Sequence, residues 1–361
     1  MNGLKLVPMY ESKFKGQGGR SEGMKATIKD VASLAGVSIS TVSRVLNNPE
    51  MVVPDKRQRV LEVIRELNYS PNALARGLIH KRTGTLGVLI PDISNLFYSA
   101  VLRGMEDAAH RSDYNLIICN TDTNASRRSS ILKVLYEKQI DGVVWTSEPL
   151  SRDSYDMFAA LDFPVVLAAT HCPEYAVPSV KVDDEQAAYD ATSYLTLRGH
   201  TRIGMISGPP SDPISGYPRI LGFLRALRDH GICTDESVCV EYGKYHFEDS
   251  YEAMKRLYAK YPDMTAVFAS SDERALAAIS YLHENGIRVP DDISIIGFDG
   301  TRMAGMSFPR LTTVAQPLYD IGYFAVEKLL KVINGEIVEE LRTCVPHQIV
   351  ERNSVIDCPD G

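Results

Sequence analysis

The stretch from Thr27 to Leu46 constrains this chain more than any other. Ile28, Val31, Ala32 and Ala35 recur at intervals of three and four, which is one face of a helix. Gly36 ends that helix, because it adopts positive φ without a steric penalty. Val37 plugs the turn. Ser38 stands where an N-cap belongs, its hydroxyl placed to accept a free backbone N–H of a second helix. In that helix Val42, Val45 and Leu46 face inward, leaving Ser40, Thr41, Ser43 and Arg44 outside. A short helix with small hydroxyls and one arginine outside suits a DNA major groove. The small side chains permit close approach, and the arginine reaches guanine or phosphate. The same pattern also describes a plain amphipathic hairpin whose serines only solvate it.

Charge sets this region apart. Residues 24–83 hold ten Lys/Arg against five Asp/Glu, and residues 1–23 hold four against two. With a net charge of −7 for the chain, residues 84–361 are left at −14. A small basic unit on a large acidic body is the balance expected of a polyanion-binding head on a separate module, although a basic surface also arises by chance. At 361 residues two or three domains are expected. No apolar run approaches the roughly 20 residues of a membrane span. Met1–Gly23 has scattered charges and no apolar core, which makes a poor export signal and predicts a cytoplasmic protein. Cys119, Cys172, Cys233, Cys239, Cys344 and Cys358 form no C-x-x-C pair, and most lie in or beside apolar runs, so buried thiols are expected. The eight histidines show no metal spacing. Neither a metal nor a cofactor is expected.

Residues 1–23 read as a disordered tail. A headpiece follows over 24–70. In it Asn47-Asn-Pro-Glu is a turn, Pro54-Asp55 opens a third helix, and Val60, Leu61, Ile64 and Leu67 form the stripe that closes a small core. Residues 71–83 are a linker in which Ala73–Ile79 can form two helical turns, too short to persist alone; a flexible tether is the other reading. From 84 to 361 apolar runs (Leu86–Ile90, Asn115–Cys119, Gly142–Trp145, Pro164–Ala168, Arg202–Ile206, Ser237–Val240, Ala266–Ala269, Ser294–Phe298) alternate with helical segments. That alternation predicts an α/β core with parallel sheets and two similar halves. Ligands in such folds sit at strand C-terminal ends. The candidates there are Asp92, Asn95, Phe97, Tyr98, Thr121, Asp122, Ser271, Asp272 and Asp299. An aromatic pair beside polar groups suits a sugar or a base-like ring; Asp272 and Asp299 read equally well as helix caps or turn partners. No Gly-x-Ser-x-Gly, phosphate-cradling loop or metal set points to an enzyme. The basic head and missing export signal oppose a plain solute-binding protein.

Three blocks carry a family resemblance: Asp30–Ser38 with Thr41–Asn47, then Tyr69–Leu78, then Thr85–Asn95. The chain resembles the lactose-repressor (LacI/GalR) family of transcription regulators over residues 24 to about 355. The resemblance implies a three-helix helix-turn-helix headpiece, a hinge helix, and a two-lobed core like that of periplasmic sugar-binding proteins. In that core the chain crosses between lobes three times and returns to the first near residue 317. It implies a homodimer, associated with the nucleoid, that binds a pseudo-palindromic operator, mostly represses genes of carbohydrate metabolism and is controlled allosterically. Met24 resembles the start of family members, which makes it an alternative translation start, and no tetramer-forming tail is evident after Pro346.

By the resemblance, Thr27, Ser38, Ile39, Ser40, Thr41, Ser43, Arg44 and Asn47 match operator-contacting positions, joined by Tyr69, Asn72, Ala75 and Leu78. Leu78 matches a leucine that wedges into the minor groove, and Lys81 and Arg82 would lie near phosphate. Asp92, Asn95, Phe97, Tyr98, Ser271, Asp272 and Asp299 would face a sugar or sugar phosphate. The loop where the family places an arginine leaves only Arg219, displaced from the usual position. The blocks Ile90–Tyr98, Ile295–Arg302 and Gln316–Gly322 resemble the catabolite-control branch of the family. Its corepressor is the phosphocarrier HPr bearing a phosphoserine, gripped by arginines of the first lobe. Arg302 matches one such position; Glu327 or Lys328 stands where another is expected, and an acid there repels phosphoserine.

Overall fold

A computed structural model describes residues 26–69, 82–232, 235–243 and 246–358. The expected tail, Met24, and the linker positions Asn72, Ala75, Leu78 and Lys81 lie outside the described residues. The chain divides into two compact units, Met1–Ile79 and His80–Gly361.

The first unit holds helices α1 (Ile28–Ala35), α2 (Ile39–Asn47) and α3 (Pro54–Glu66). Thr27 and Asp30 form a capping box at α1, and Gly36 ends it at φ 64°. The Ser38 hydroxyl accepts from the Thr41 backbone N–H at the start of α2. Val31, Ala32, Ala35, Val42, Val45, Val60 and Val63 are buried together. Leu61, Ile64 and Leu67, expected inside, lie at the rim of this core. The innermost line of α3 runs through Val60 and Val63, three residues apart. Asn47 is the last residue of α2 rather than part of the turn, which is a 3-10 turn at Pro49–Met51.

The second unit carries two six-stranded sheets. The first lobe contains β1 (Thr85–Ile90), α4 (Phe97–Arg111), β2 (Asn115–Asn120), α5 (Ala125–Glu137), β3 (Gly142–Thr146), α6 (Arg152–Ala160), β4 (Val165–Ala168) and β5 (Ser179–Lys181). The second lobe contains α7 (Asp184–Thr196), β6 (Ile203–Ser207), α8 (Gly216–Asp229), α9 (Glu236–Cys239), β7 (Val240–Tyr242), α10 (Phe247–Lys260) and β8 (Ala266–Ala269). It continues with α11 (Asp272–Glu284), β9 (Ser294–Asp299), α12 (Arg302–Met306) and β10 (Thr312–Ala315). Helix α13 (Leu318–Ile333) and strand β11 (Arg342–Cys344) then return to the first lobe, and β12 (Gln348–Val350) closes the second.

The first sheet runs β11-β5-β4-β3-β1-β2, all parallel. The second runs β12-β10-β9-β8-β6-β7, parallel except for antiparallel β12. The chain crosses between lobes after β5, β10 and β11. Each sheet is covered on both faces, as parallel strands require. In the first lobe Val88 and Ile90 meet α4 and α13, while Leu89 and Trp145 meet α5 and α6. In the second, Met205, Phe268 and Phe298 meet α7 and α8, while Ile206, Val267 and Ile295 meet α10 and α11.

Two expectations are corrected. Ser237–Val240 is not a strand: Asp235 accepts from the Ser237 backbone N–H and starts the single turn α9, so pairing begins at Val240. Cys172 and Cys239 are buried free thiols, but Cys344 is exposed. Among the described residues no helix is long and apolar enough to cross a membrane.

Candidate DNA interface and effector cleft

In the headpiece the inner face of α2 is anchored by Val42 and Val45; on its outer face Ser40 and Arg44 are exposed and Thr41 and Ser43 half-buried. The Ser38 hydroxyl lies 2.8 Å from that of Ser40 and 2.9 Å from that of Thr41. Ile39 is 44% exposed, and Arg44 and Asn47 are exposed beside it. The Asn47 amide donates to the Ser43 hydroxyl at 3.4 Å. The Thr27 hydroxyl and backbone N–H both meet Asp30, so Thr27 is also a structural cap. Tyr69 packs on the headpiece core.

Between the lobes of the second unit lies a cavity of about 920 Å³. Asp92, Asn95, Phe97 and Tyr98 line it from the first lobe; Arg219, Ser271 and Asp299 line it from the second. Phe97 and Tyr98 meet edge to face at 5.1 Å, with Tyr98 buried. Asp92 accepts from the Ser94 hydroxyl and backbone N–H, and these bonds, the hydroxyl's first, hold its carboxyl below the usual range. The Asn95 amide reaches across to Glu273 at 3.4 Å.

Arg219 does reach the cleft. Its guanidinium stacks 3.7 Å over Phe298 and donates to Asp184 at 2.8 and 2.7 Å and to the Ser270 carbonyl. Asp272 is buried off the cleft wall. Its oxygens accept from the Thr301 backbone N–H and hydroxyl and from the Thr313 hydroxyl. It therefore ties the start of α11 to the N-cap of α12 and to β10, and does not line the cavity. Asp299, by contrast, does line the cavity, at φ 114°, accepting from the Gln316 amide at 2.9 Å.

Burial pushes the Asp299 carboxyl up to about 7; Arg219 opposes the shift and Asp272 adds to it. Burial also pushes Asp272 up to about 6, against the pull of Thr313 and Thr301. A carboxyl raised in the folded state holds a proton that the unfolded chain, with its ordinary value of 3.8, has already lost. The Asp299 contribution to stability is therefore full below about 3.8 and is lost progressively as pH rises from there through 7. The stability difference between the native chain and Asp299→Asn is expected to fall from about pH 4 to pH 7 and to level off by pH 8 in chemical denaturation. A difference that stays flat would place the charge elsewhere.

Sequence reasoning missed several cleft residues. Arg128 pairs with Glu148 at 3.0 Å and lies over the Trp145 ring, whose indole N–H donates to the Glu148 carbonyl. Lys181 pairs with Asp184 at 2.8 Å and donates to the Ile214 carbonyl of the other lobe. Arg302 is a correction. It opens α12 in the second lobe and is exposed there, so it does not stand among first-lobe arginines. The Arg82 guanidinium bonds to Asn334 and the Ile333 carbonyl.

A helix-turn-helix headpiece and a two-lobed core with a lined cleft define a DNA-binding transcription regulator that responds to a ligand. The model for "Bacterial regulatory proteins, lacI family" matches residues 27–72, and that for "Periplasmic binding protein-like domain" matches residues 192–355. The chain is 42% identical over 331 residues to catabolite control protein A of Priestia megaterium, covering 92% of this chain and 99% of that protein. The chain belongs to the lacI family of bacterial regulators, among which it is similar to catabolite control protein A, and it is a DNA-binding regulator of carbohydrate metabolism. It resembles the solved CelR–cellobiose complex at TM-score 0.71 and 30% identity, covering 91% of this chain and 99% of that one. Its fold also matches the lac repressor dimer bound to operator and the anti-inducer ONPF, at TM-score 0.82 and 24% identity, over 92% and 100% of the two chains. Regulators of this family bind operator DNA and act as dimers.

Proposed function

We propose that this chain binds a pseudo-palindromic operator as a homodimer and represses genes of carbohydrate use under allosteric control by an effector. The domains would be a headpiece over 24–70, a hinge over 71–83 and an effector-binding and dimerisation core from 84. The observation that carries this reading is α2, a helix fully anchored on one side that offers Ile39, Ser40, Ser43 and Arg44 on the other. Ser38 and Thr41 fix its N-terminus, Ile39 suits a thymine methyl, and Arg44 suits guanine or phosphate. Thr27, Asn47 and Tyr69 would flank this surface, and Asn72, Ala75 and Leu78 would share the hinge face, with Leu78 as the minor-groove wedge. The dimer surface would include Phe308, 97% exposed beside Leu276, Ile287 and Val289. Replacing Arg44→Ala should weaken specific operator binding by about 1–3 kcal/mol and relax specificity. Fluorescence anisotropy on a CG-centred palindrome at fixed salt measures this; an unchanged ratio of specific to non-specific affinity removes Arg44 from base readout.

Asp92, Asn95, Phe97, Arg219, Ser271 and Asp299 would form the effector site, with Tyr98 supporting the Phe97 ring and Asp272 holding the floor. Arg128 already faces Glu148, and Lys181 and Arg219 already face Asp184. That pairing favours an uncharged sugar over a sugar phosphate; CelR is described with cellobiose. Trp145 is the chain's one tryptophan and sits against the Arg128–Glu148 pair, so its emission reports cleft occupancy. Serine-phosphorylated HPr is the other candidate partner, through the first lobe and Arg302. Against it, Glu327 is exposed where a phosphoserine needs a cation, and the Lys328 ammonium donates to the Ser179, Glu340 and Leu341 carbonyls. Tighter operator binding with phosphorylated HPr, and not with unmodified HPr, makes this a global catabolite regulator. No response to HPr, with a sugar that shifts Trp145 emission and changes operator affinity, makes it a local repressor.

A further inference from the structure

Arg82 is the first described residue at the C-terminal end of the linker, and its side chain is tied to the far end of a helix that begins at the cleft. Its guanidinium donates to the Asn334 side chain at 2.7 Å and to the Ile333 carbonyl at 2.9 Å. These are the C-cap and the last residue of α13, where unpaired carbonyls and the helix dipole favour a cation. The next residues are held too: the Thr83 and Gly84 backbone N–H groups donate to the two oxygens of Asp141, each at 2.8 Å.

The other end of α13 starts at the crossing between lobes. There Gln316 bonds twice to Asp299, its amide to the carboxylate at 2.9 Å and its backbone N–H to the carbonyl at 3.1 Å. Between the two ends run sixteen helical residues, with Ile321, Ala325, Val326 and Leu329 buried in the first lobe. The helix spans roughly 24 Å at 1.5 Å per residue. The lobe cannot bend it without breaking that packing.

We infer that α13 is the strut linking cleft to linker, with Gln316 coupling it to the cleft carboxylate Asp299, and Arg82 and Asn334 positioning the chain that leaves toward the headpiece. The inference rests on the allosteric reading above. In it, a change at Asp299 shifts Gln316 and moves α13 as a body, and the Arg82 anchor carries the displacement to the linker. Arg82 thereby acts through Asn334 and not as a contact to DNA phosphate.

Full-length Arg82→Ala, Asn334→Ala and the double variant test this by anisotropy on the palindromic operator, from 50 to 200 mM salt. Each single variant is expected to lose roughly tenfold in specific affinity, and the double variant no more than either. The salt slope stays that of the native chain, because no phosphate contact is removed. Arg82→Lys, which keeps a donor, recovers part of the loss. If Arg82→Ala lowers the slope by about one while Asn334→Ala is neutral, Arg82 is a phosphate contact and the strut is overturned. If both variants lower only the melting temperature and leave affinity unchanged, the contact is merely structural and the inference fails. If the native chain itself shows no preference for operator over random DNA, the regulator reading fails and takes this one with it.

Discussion

Asp184→Ala is expected to destabilise the core by about 3–5 kcal/mol, the range for stranding a buried charge by removing its partner. Asp184 is buried where the chain first enters the second lobe. One of its oxygens takes two donors of Arg219 and the other takes Lys181. Removing the carboxylate leaves an ammonium and a guanidinium facing one another at the cleft wall, with Arg219 fixed over Phe298 and unable to withdraw to water. Burial alone would raise the Asp184 carboxyl, but Arg219 and Lys181 outweigh it and hold the group below its ordinary 3.8. A lowered carboxyl stabilises the fold above the unfolded value and loses that contribution as pH falls through the folded one. The stability gap between native and variant chains should therefore be full at neutral pH and close in strong acid. Denaturation followed by Trp145 emission measures it. A gap under about 1 kcal/mol at pH 7 would mean that the pair contributes no more than a surface salt bridge.

The headpiece was legible in the sequence because its determinants are local. Ser38 caps, Gly36 turns, and Val31, Ala35, Val42 and Val45 repeat at helical spacing. The alternating strands and helices of the core were legible for the same reason. The short strands at Ser179–Lys181, Arg342–Cys344 and Gln348–Val350 were not, since three residues carry no period. The ion pairs of the cleft were not legible either. Asp184 sits in Asp183-Asp184-Glu185, which reads as three first-turn acids. Only the fold distinguishes Asp183, which caps α7, from Asp184, which meets an arginine on α8. Arg128 and Glu148 are likewise joined by topology alone. At Asp272 and Asp299 the sequence left cap and site equally open, and the fold separates them: Thr301 and Thr313 occupy the first, and the second lines the cleft.

Gly104→Ala should cost the core about 3 kcal/mol or more, through overpacking against atoms that cannot rotate away. A Cβ at Gly104 of α4 would stand 2.0 Å from the Tyr319 carbonyl oxygen of α13, and one at Gly322 of α13 would stand 2.0 Å from the Val101 carbonyl oxygen of α4. The two helices cross backbone to backbone at this glycine pair. A flexible side chain could yield; a carbonyl inside a helix yields only if α13 shifts bodily. Such a shift would also reach Gln316 at one end and Asn334 at the other, so the variant should lose operator affinity beyond its loss of folded protein. Gly305→Ala is the control. It lies in the short helix α12, where an added Cβ meets nothing within 4 Å, and the change favours the helix by up to about 1 kcal/mol. Melting of the two variants side by side decides the matter. A Gly104→Ala chain as stable as Gly305→Ala would mean that α13 can slide within the first lobe, and a helix that slides freely could not transmit a displacement from Asp299 to Arg82.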